Sequence, residues 1–146
     1  MLDPDFVSVS RGARRHPGLR FVRGRGEAIP FRDGSFERLT AIRSTHHMDS
    51  PERFLREASR VLSGNGRIVL EEIRHSSLLA RLFGAIFRVR RHGSLDFRSL
   101  DDWAKGLRDA GFVEVKAAAG SRGYFVSGRK PVEEGSLPPS RCSAHP

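Results

Sequence analysis

One short stretch of this chain sets the order of its secondary structure. Residues 36–42 are apolar and β-branched enough for a strand, residues 51–62 have the apolar spacing of a helix, and residues 67–73 form another apolar strand. Ser50 and Pro51 open the helix, and a Gly-Asn-Gly turn closes it. Strand, helix and strand with short joints predict a βαβ unit, in which the two strands lie side by side and parallel.

Composition limits the chain to one globular domain. Its 146 residues are few for two domains but enough to bury a core. No run approaches the roughly 20 apolar residues of a membrane span, and the first residues lack the basic-then-apolar pattern of a secretory signal. Cys142 is the only cysteine, which excludes an intramolecular disulfide and argues against a cysteine-built zinc site. These features predict a cytoplasmic protein.

The chain is strongly basic, with a net charge of +9. Such a surface can attract nucleic acid, anionic lipid or acidic ligands. The arginines are scattered over predicted helices and turns, however, and residues 88–91 form only a modest cluster. The pattern is therefore also that of an ordinary solvated surface, because charge governs solubility and association rather than fold.

A longer ordered pattern surrounds the βαβ unit and resembles a known family. The segment EAIPFRDGSFE at residues 27–37, the pair His46-His47, and the segment LREASRVLSGNG at residues 55–66 occur in this order. Together they resemble the class I S-adenosylmethionine-dependent methyltransferases, especially those that act on small molecules. The resemblance implies an α/β fold with an incomplete Rossmann-like sheet, mostly parallel with an antiparallel C-terminal strand, and helices on both faces. It also implies methyl transfer from S-adenosylmethionine to a small-molecule acceptor.

Other segments take places in the same family pattern. Residues 19–22 resemble its third strand, and residues 36–42 and 67–73 resemble its fourth and fifth. Ser99 and Asp102 form a capping box that begins a later helix. The sixth strand and the antiparallel seventh strand are expected at residues 113–115 and 123–127.

Two segments are read from composition and periodicity alone. Residues 77–91 have an apolar stripe, and a helix there could pack on the domain or lie on a membrane surface. From residue 131 onward Pro, Ser, Gly and Glu dominate, which predicts disorder. We therefore predict a truncated methyltransferase-like domain at residues 1–130 and a disordered tail at residues 131–146.

Asp3 has two interpretations. It could cap a helix that has Pro4 in its first turn. The resemblance instead equates Asp3 with the acidic residue that ends the family's second strand and binds the ribose hydroxyls of the cofactor. A carboxylate suits that role because it can accept hydrogen bonds from two neighbouring hydroxyls.

The adenine end of the expected cofactor site departs from the family pattern. Where the family has an Asp that accepts a hydrogen bond from the adenine amino group, this chain has Arg25 and Gly26. An arginine side chain has donors and no acceptor. Either Glu27 reaches the same place, or Arg25 points to solvent and adenine recognition is weakened.

The loop at residues 43–47 follows the predicted fourth strand, where ligands of open α/β sheets bind. The resemblance therefore implies that Arg43 and its loop lie near the methionine end of the cofactor and the methyl acceptor. His47 is the candidate general base, because a histidine pKa lies near neutrality; alternatively, His46 and His47 only pack the loop. No metal site is predicted, because adjacent histidines point in different directions and lack further ligands.

The resemblance covers only the later two-thirds of the family domain. No Gly-rich strand and loop precede Asp3 in this sequence, although the family uses glycines there because side chains would collide with the cofactor. Three outcomes are open. The chain is a truncated enzyme, or its sheet is completed by a partner chain or a homodimer, or the remaining strands pair with one another into one sheet. The alternative function is a non-catalytic module that binds an acidic partner or nucleic acid. This module is less favoured than the enzyme, since no interleaved aromatic residues are present to stack bases, and nucleic acid is not the expected partner.

Overall fold

The computed structural model describes residues 1–73, 98–120 and 123–132. The predicted helix at residues 77–91 and most of the predicted tail at 131–146 lie outside the described residues. In chain order the described elements are β1 (Leu2–Asp3), α1 (Phe6–Arg15), β2 (Val22–Arg23), β3 (Phe36–Ile42), a 3-10 turn (Thr45–His47), α2 (Pro51–Val61), β4 (Leu62–Ile73), α3 (Leu100–Asp109), β5 (Val113–Ala119) and β6 (Gly123–Arg129).

The strands form two sheets. β1 and β2 are a parallel pair, and the larger sheet has the order β3-β4-β6-β5. β3 and β4 are parallel neighbours, with Leu39 opposite Ile68 and Ala41 opposite Leu70, which confirms the predicted βαβ unit. β6 is antiparallel to both β4 and β5, so the expected antiparallel C-terminal strand is also confirmed.

The strands of the described residues do not close into one sheet. There β1 pairs with β2 and β3 pairs with β4, and no pairing joins β1 to β3. Of the three open outcomes, the one in which the remaining strands pair into a single sheet is therefore not found in this part of the chain. One edge of β3 is left without a strand partner among these residues, and such an edge presents backbone donors and acceptors.

The core lies on one face of the larger sheet, beneath α2 and α3. In β4 the side chains alternate, so that Ile68 and Leu70 are fully buried whereas Val69 is 36% exposed on the other face. Phe125, which is also on that other face, is 47% exposed. The buried cluster comprises Ala41, Phe54, Leu55, Ala58, Leu62, Ile68, Leu70, Trp103, Ala104, Leu107, Phe112, Tyr124 and Val126.

Two local predictions are wrong. The cap of α1 is Asp5, whose carboxylate accepts from Ser8 N at 2.9 Å; Asp3 cannot take that role because it still belongs to β1. The Gly-Asn-Gly segment does not separate helix from strand, because α2 ends at Val61 and Leu62 is already extended. Asn65, which tolerates the left-handed region, has a φ of 69° within the irregular first part of β4.

Candidate functional site

Three polar residues meet at the carboxyl ends of β3 and β4. Glu72 is 4% exposed, and its Oε1 accepts hydrogen bonds from Thr45 N at 2.8 Å and from the Thr45 hydroxyl. Its Oε2 lies 3.0 Å from His46 Nδ1. One buried carboxylate therefore fastens the turn that follows β3 to the end of β4.

The charge state of Glu72 fixes the orientation of His46. Burial acts to raise the pKa of Glu72, but hydrogen bonds from His46 and Thr45 outweigh it and hold the pKa below its usual value. The carboxylate is thus ionised at neutral pH and can only accept, so His46 Nδ1 must carry the proton.

His47, the predicted general base, lies beside this pair. Its ring centroid is 4.1 Å from that of His46, and its residue is exposed. Partial desolvation and the neighbouring His46 lower the pKa of His47 below 6.5, although the Glu72 charge opposes them. The imidazole is therefore neutral at pH 7 and able to accept a proton, but the carboxylate orients His46 rather than His47.

This arrangement predicts the direction of two changes in the titration of His47. A His46→Asn substitution should raise the pKa of His47, because it removes a like charge, and Glu72→Gln should lower it, because it removes an opposite charge. Histidine resonances followed by NMR against pH measure both, and unchanged values would contradict the arrangement. Since the pKa of His47 is lowered on folding, protonation below pH 6.5 favours the unfolded chain.

Arg43 turns the chain out of β3. Its φ is 49°, which is uncommon for a residue with a side chain. Arg43 N donates to Glu71 O at 2.8 Å, and its Nε lies 3.4 Å from Glu71 Oε1. Glu71 and Glu72 are directed to opposite faces of β4, as the alternation of a strand predicts.

Asp3 is the last residue of β1, at the carboxyl end of a parallel strand. It is partly buried, and its Oδ1 accepts from Asp5 N at 2.8 Å. Its carbonyl oxygen accepts from Gly24 N at 3.1 Å, which ties it to the loop after β2. This location agrees with the ribose interpretation, in which the acidic residue ends a strand.

The loop after β2 packs against the segment that leads into α2. Arg25 is exposed and pairs with Asp49 at 3.1 Å, and Glu27 Oε1 accepts from Asp49 N at 2.7 Å. A Cβ on Gly26 would lie 2.9 Å from Cε at the flexible end of the Met48 side chain, so the backbone at Gly26 packs closely against Met48. Glu27 therefore supports the start of α2, and that engagement argues against the adenine role considered for it.

The guanidinium group of Arg60 joins residues 29–33 of this loop to α2. The predicted pair of Glu57 and Arg60 is confirmed, with Nε and Oε1 at 2.8 Å. Arg60 also donates to Asp33 Oδ1 at 2.7 Å and to the carbonyl oxygens of Ile29 and Phe31. Ile29 N in turn donates to Glu57 Oε2 at 2.8 Å. These long-range contacts were not predicted, because only the i to i+3 pair is visible in the sequence.

Sequence reasoning also missed Thr45 and Tyr124. Tyr124 lies opposite Glu72 in the sheet, and its hydroxyl donates to Arg98 O at 2.7 Å. Burial, together with the charge of Glu72, raises the pKa of Tyr124 to about 12. The alternation of β4 was the available signal, since it places Glu72 on the buried face beside Ile68 and Leu70.

Two kinds of site are absent from the part of the chain that the structure describes. No three His, Cys, Asp or Glu side chains there are grouped so that they could hold a metal ion. No helix of the same part is long and apolar enough to cross a membrane.

The chain is similar in sequence to known methyltransferases. Residues 2–70 match the family model described as a methyltransferase domain. Over 81 residues it is 37% identical to phthiotriol/phenolphthiotriol dimycocerosates methyltransferase 1 of Mycobacterium ulcerans, covering 54% of this chain and 30% of that protein. Over 74 residues it is 34% identical to demethylmenaquinone methyltransferase of Renibacterium salmoninarum, covering 51% and 31%. The chain thus spans less than a third of the length of these two relatives.

The fold is similar to a solved structure of the same class. An S-adenosylmethionine-dependent methyltransferase from Thermotoga maritima, described as a possible histamine N-methyltransferase, superimposes with a TM-score of 0.73. The identity is 22%, and the match covers 88% of this chain and 71% of that one. At this identity the likeness concerns fold alone. The expected α/β methyltransferase-like fold, in an incomplete form, is thereby confirmed.

Proposed function

We propose that this chain, which is similar to class I S-adenosylmethionine-dependent methyltransferases in sequence and in fold, binds S-adenosylmethionine and serves methyl transfer to a small-molecule acceptor. One observation carries the proposal, namely the contact between loops that follow parallel strands. In the loop after β2, Gly24 N donates a hydrogen bond to the carbonyl oxygen of Asp3. Gly26 of the same loop packs against Met48, which follows β3. Ligands of open α/β sheets bind beyond such strand ends.

The described residues fit the ribose of S-adenosylmethionine. Asp3 Oδ1 already accepts from a backbone N–H, and the other carboxylate oxygen suits a ribose hydroxyl. Arg25 pairs with Asp49 and offers no acceptor to an adenine amino group. We infer that the methionine end is held by a further strand and loop lying between β1 and β3, supplied by additional polypeptide, a partner chain or a second copy.

The chemistry assigned to this chain is positioning and proton transfer. When bound, S-adenosylmethionine supplies an electrophilic methyl group, and alignment of the acceptor with it gives most of the rate enhancement. Glu72 holds the His46 ring through Nδ1 at the carboxyl ends of β3 and β4, where the ring can help to position an acceptor. His47, which is neutral at pH 7, is the candidate that accepts a proton from an acceptor hydroxyl.

The acceptor is proposed only as a small molecule. By their names, the two curated relatives act on phthiotriol or phenolphthiotriol dimycocerosates and on demethylmenaquinone. The alternative is a non-catalytic module of the same fold, favoured by the edge of β3 that has no strand partner among the described residues. Cofactor affinity separates the two.

Isothermal titration with S-adenosylmethionine tests the proposal. Micromolar binding is expected, and Asp3→Ala should weaken it about tenfold or more, because it removes charge-assisted hydrogen bonds to the ribose. Asp5→Ala is the matched control. It removes the cap of α1 and so lowers the stability of that helix, but it should leave cofactor affinity unchanged.

Two results would count against this assignment. Equal weakening by both aspartate variants would mean that Asp3 acts only through the structure of α1. No binding of the unaltered chain at millimolar cofactor would favour the non-catalytic module or a site that is incomplete in this chain.

A further inference from the structure

One face of the larger sheet exposes large apolar side chains. Ile68 and Leu70 of β4 are fully buried beneath α2 and α3, whereas Val69 between them is 36% exposed on the opposite face. Ile42 of β3 is 60% exposed and Phe125 of β6 is 47% exposed. A parallel pair such as β3 and β4 is normally covered on both faces. Exposed apolar side chains on such a pair mark an interaction surface.

These three apolar side chains form one patch on adjacent strands. In the register of the sheet Ile42 is opposite Glu71, and Glu71 is opposite Phe125. Val69 is two residues before Glu71 and is therefore on the same face. The patch spans two strand spacings, about 10 Å, which is about the diameter of an α-helix. Glu71 lies within the patch, but its carboxylate is paired with Arg43 at 3.4 Å.

A row of arginines crosses the same face nearer the amino ends of β3 and β4. Arg38 of β3 is opposite Arg67 of β4, and Arg67 is opposite Arg129 of β6. Like charges directly opposite one another destabilise a sheet. Glu114 offsets part of this repulsion, since it lies 2.8 Å from Arg129 and 3.7 Å from Arg67. Arg38 is exposed and makes no ion pair within the described part of the chain.

The charge of this face determines which partner fits it. Lys116 of β5 is on the same face, because it is opposite Ser127, which is two residues from Phe125. Like Arg38, Lys116 is exposed and has no ion pair among the described residues. A second copy of the chain would bring the same excess of positive charge, and like charges across an interface are costly. A partner with carboxylates beside an apolar stripe would instead pair with both cations.

We propose that this open face binds an amphipathic α-helix of an acidic partner polypeptide. A sheet buries an apolar face by packing against another layer, and a helix of this kind presents one apolar stripe with polar side chains beside it. The contact does not require bound S-adenosylmethionine. The contacting residues are Ile42, Val69 and Phe125 for the apolar stripe and Arg38 and Lys116 for the carboxylates.

Binding of synthetic peptides to the full chain tests the surface. The acidic probe is a labelled peptide of about 20 residues, because shorter isolated helices are marginal in water. It has leucine at spacings of three and four and glutamate beside this stripe, and a second peptide has lysine in place of every glutamate. Fluorescence anisotropy should show micromolar binding of the acidic peptide and little binding of the lysine peptide. Methyl resonances of Ile42 and Val69 should shift during titration with the acidic peptide.

A pair of matched variants tests the role of the two cations. R38Q/K116Q should weaken binding of the acidic peptide about tenfold, at roughly threefold per ion pair. R53Q/R108Q removes the same charge from exposed positions of α2 and α3 and should keep most of the binding. Circular dichroism verifies that both variants are folded.

Five outcomes would overturn the proposal. No binding of the acidic peptide at millimolar concentration would remove the docking role, and equal binding of both peptides would remove the role of charge. Equal loss in both double variants would place the contact elsewhere. Tighter binding of single-stranded RNA with the same dependence on Arg38 and Lys116 would identify a nucleic-acid surface. A dimer of the chain that Val69→Asp dissociates would identify a contact between copies.

Discussion

Replacing Glu72 with alanine is expected to lower the free energy of unfolding by about 3 kcal/mol, because it leaves buried donors without partners. Thr45 is 1% exposed, and its N–H and hydroxyl both donate to Glu72. The contact of His46 with the same carboxylate is lost as well. Urea unfolding followed by circular dichroism measures the loss.

Glu71→Ala is the matched control for this experiment. Glu71 is the preceding residue of the same strand, but it lies on the opposite face and pairs with the largely exposed Arg43. Its removal should cost less than about 1 kcal/mol, as for other exposed ion pairs. A similar loss in both variants would show that the buried cluster does not stabilise the end of β4.

The effect of Glu72 should also depend on pH. The pKa of Glu72 is lowered below 4.5 in the folded chain, so its stabilising contribution is present above pH 4.5. The contribution is lost as the pH falls through the folded-state value. The difference in unfolding free energy between the unaltered chain and Glu72→Ala should therefore be constant near neutrality and shrink in acid.

Replacing Glu57 with alanine is expected to lower the free energy of unfolding by about 2 kcal/mol. The variant loses the hydrogen bond from Ile29 N and both contacts with Arg60. Ile29 is 8% exposed, so its N–H would be left without a hydrogen-bond partner at a buried position that water hardly reaches. Arg60 would also hold Asp33 and the loop carbonyls less firmly. Urea unfolding gives the total, and amide exchange at Ile29 reports the local effect.

Glu52→Ala provides the comparison on the same helix. Glu52 is exposed in the first turn of α2 and pairs with Arg98, a contact that does not fix the loop before β3. Glu52→Ala should lower the free energy of unfolding by less than about 1 kcal/mol and should not change amide exchange at Ile29. Faster exchange at Ile29 in both variants would refute the specific role given to Glu57.

Local features of the sequence determined the main elements of this protein. The βαβ unit, the Ser99–Asp102 capping box and the Glu57–Arg60 pair are all found as predicted. Each depends on residues a few positions apart, or on an alternation that one strand shows by itself. Such features are encoded by helix and strand periodicity and need no knowledge of distant neighbours.

Only the tertiary structure determined which side chains of these elements come into contact. The sequence indicated His47, whereas the structure orients His46 through a carboxylate 26 positions away. The sequence also left open whether Asp3 caps α1, whereas in the structure Asp3 pairs with β2 as part of a strand and Asp5 is the cap. Both outcomes depend on which strands become neighbours, since a buried carboxylate must find donors from whatever segment packs against it.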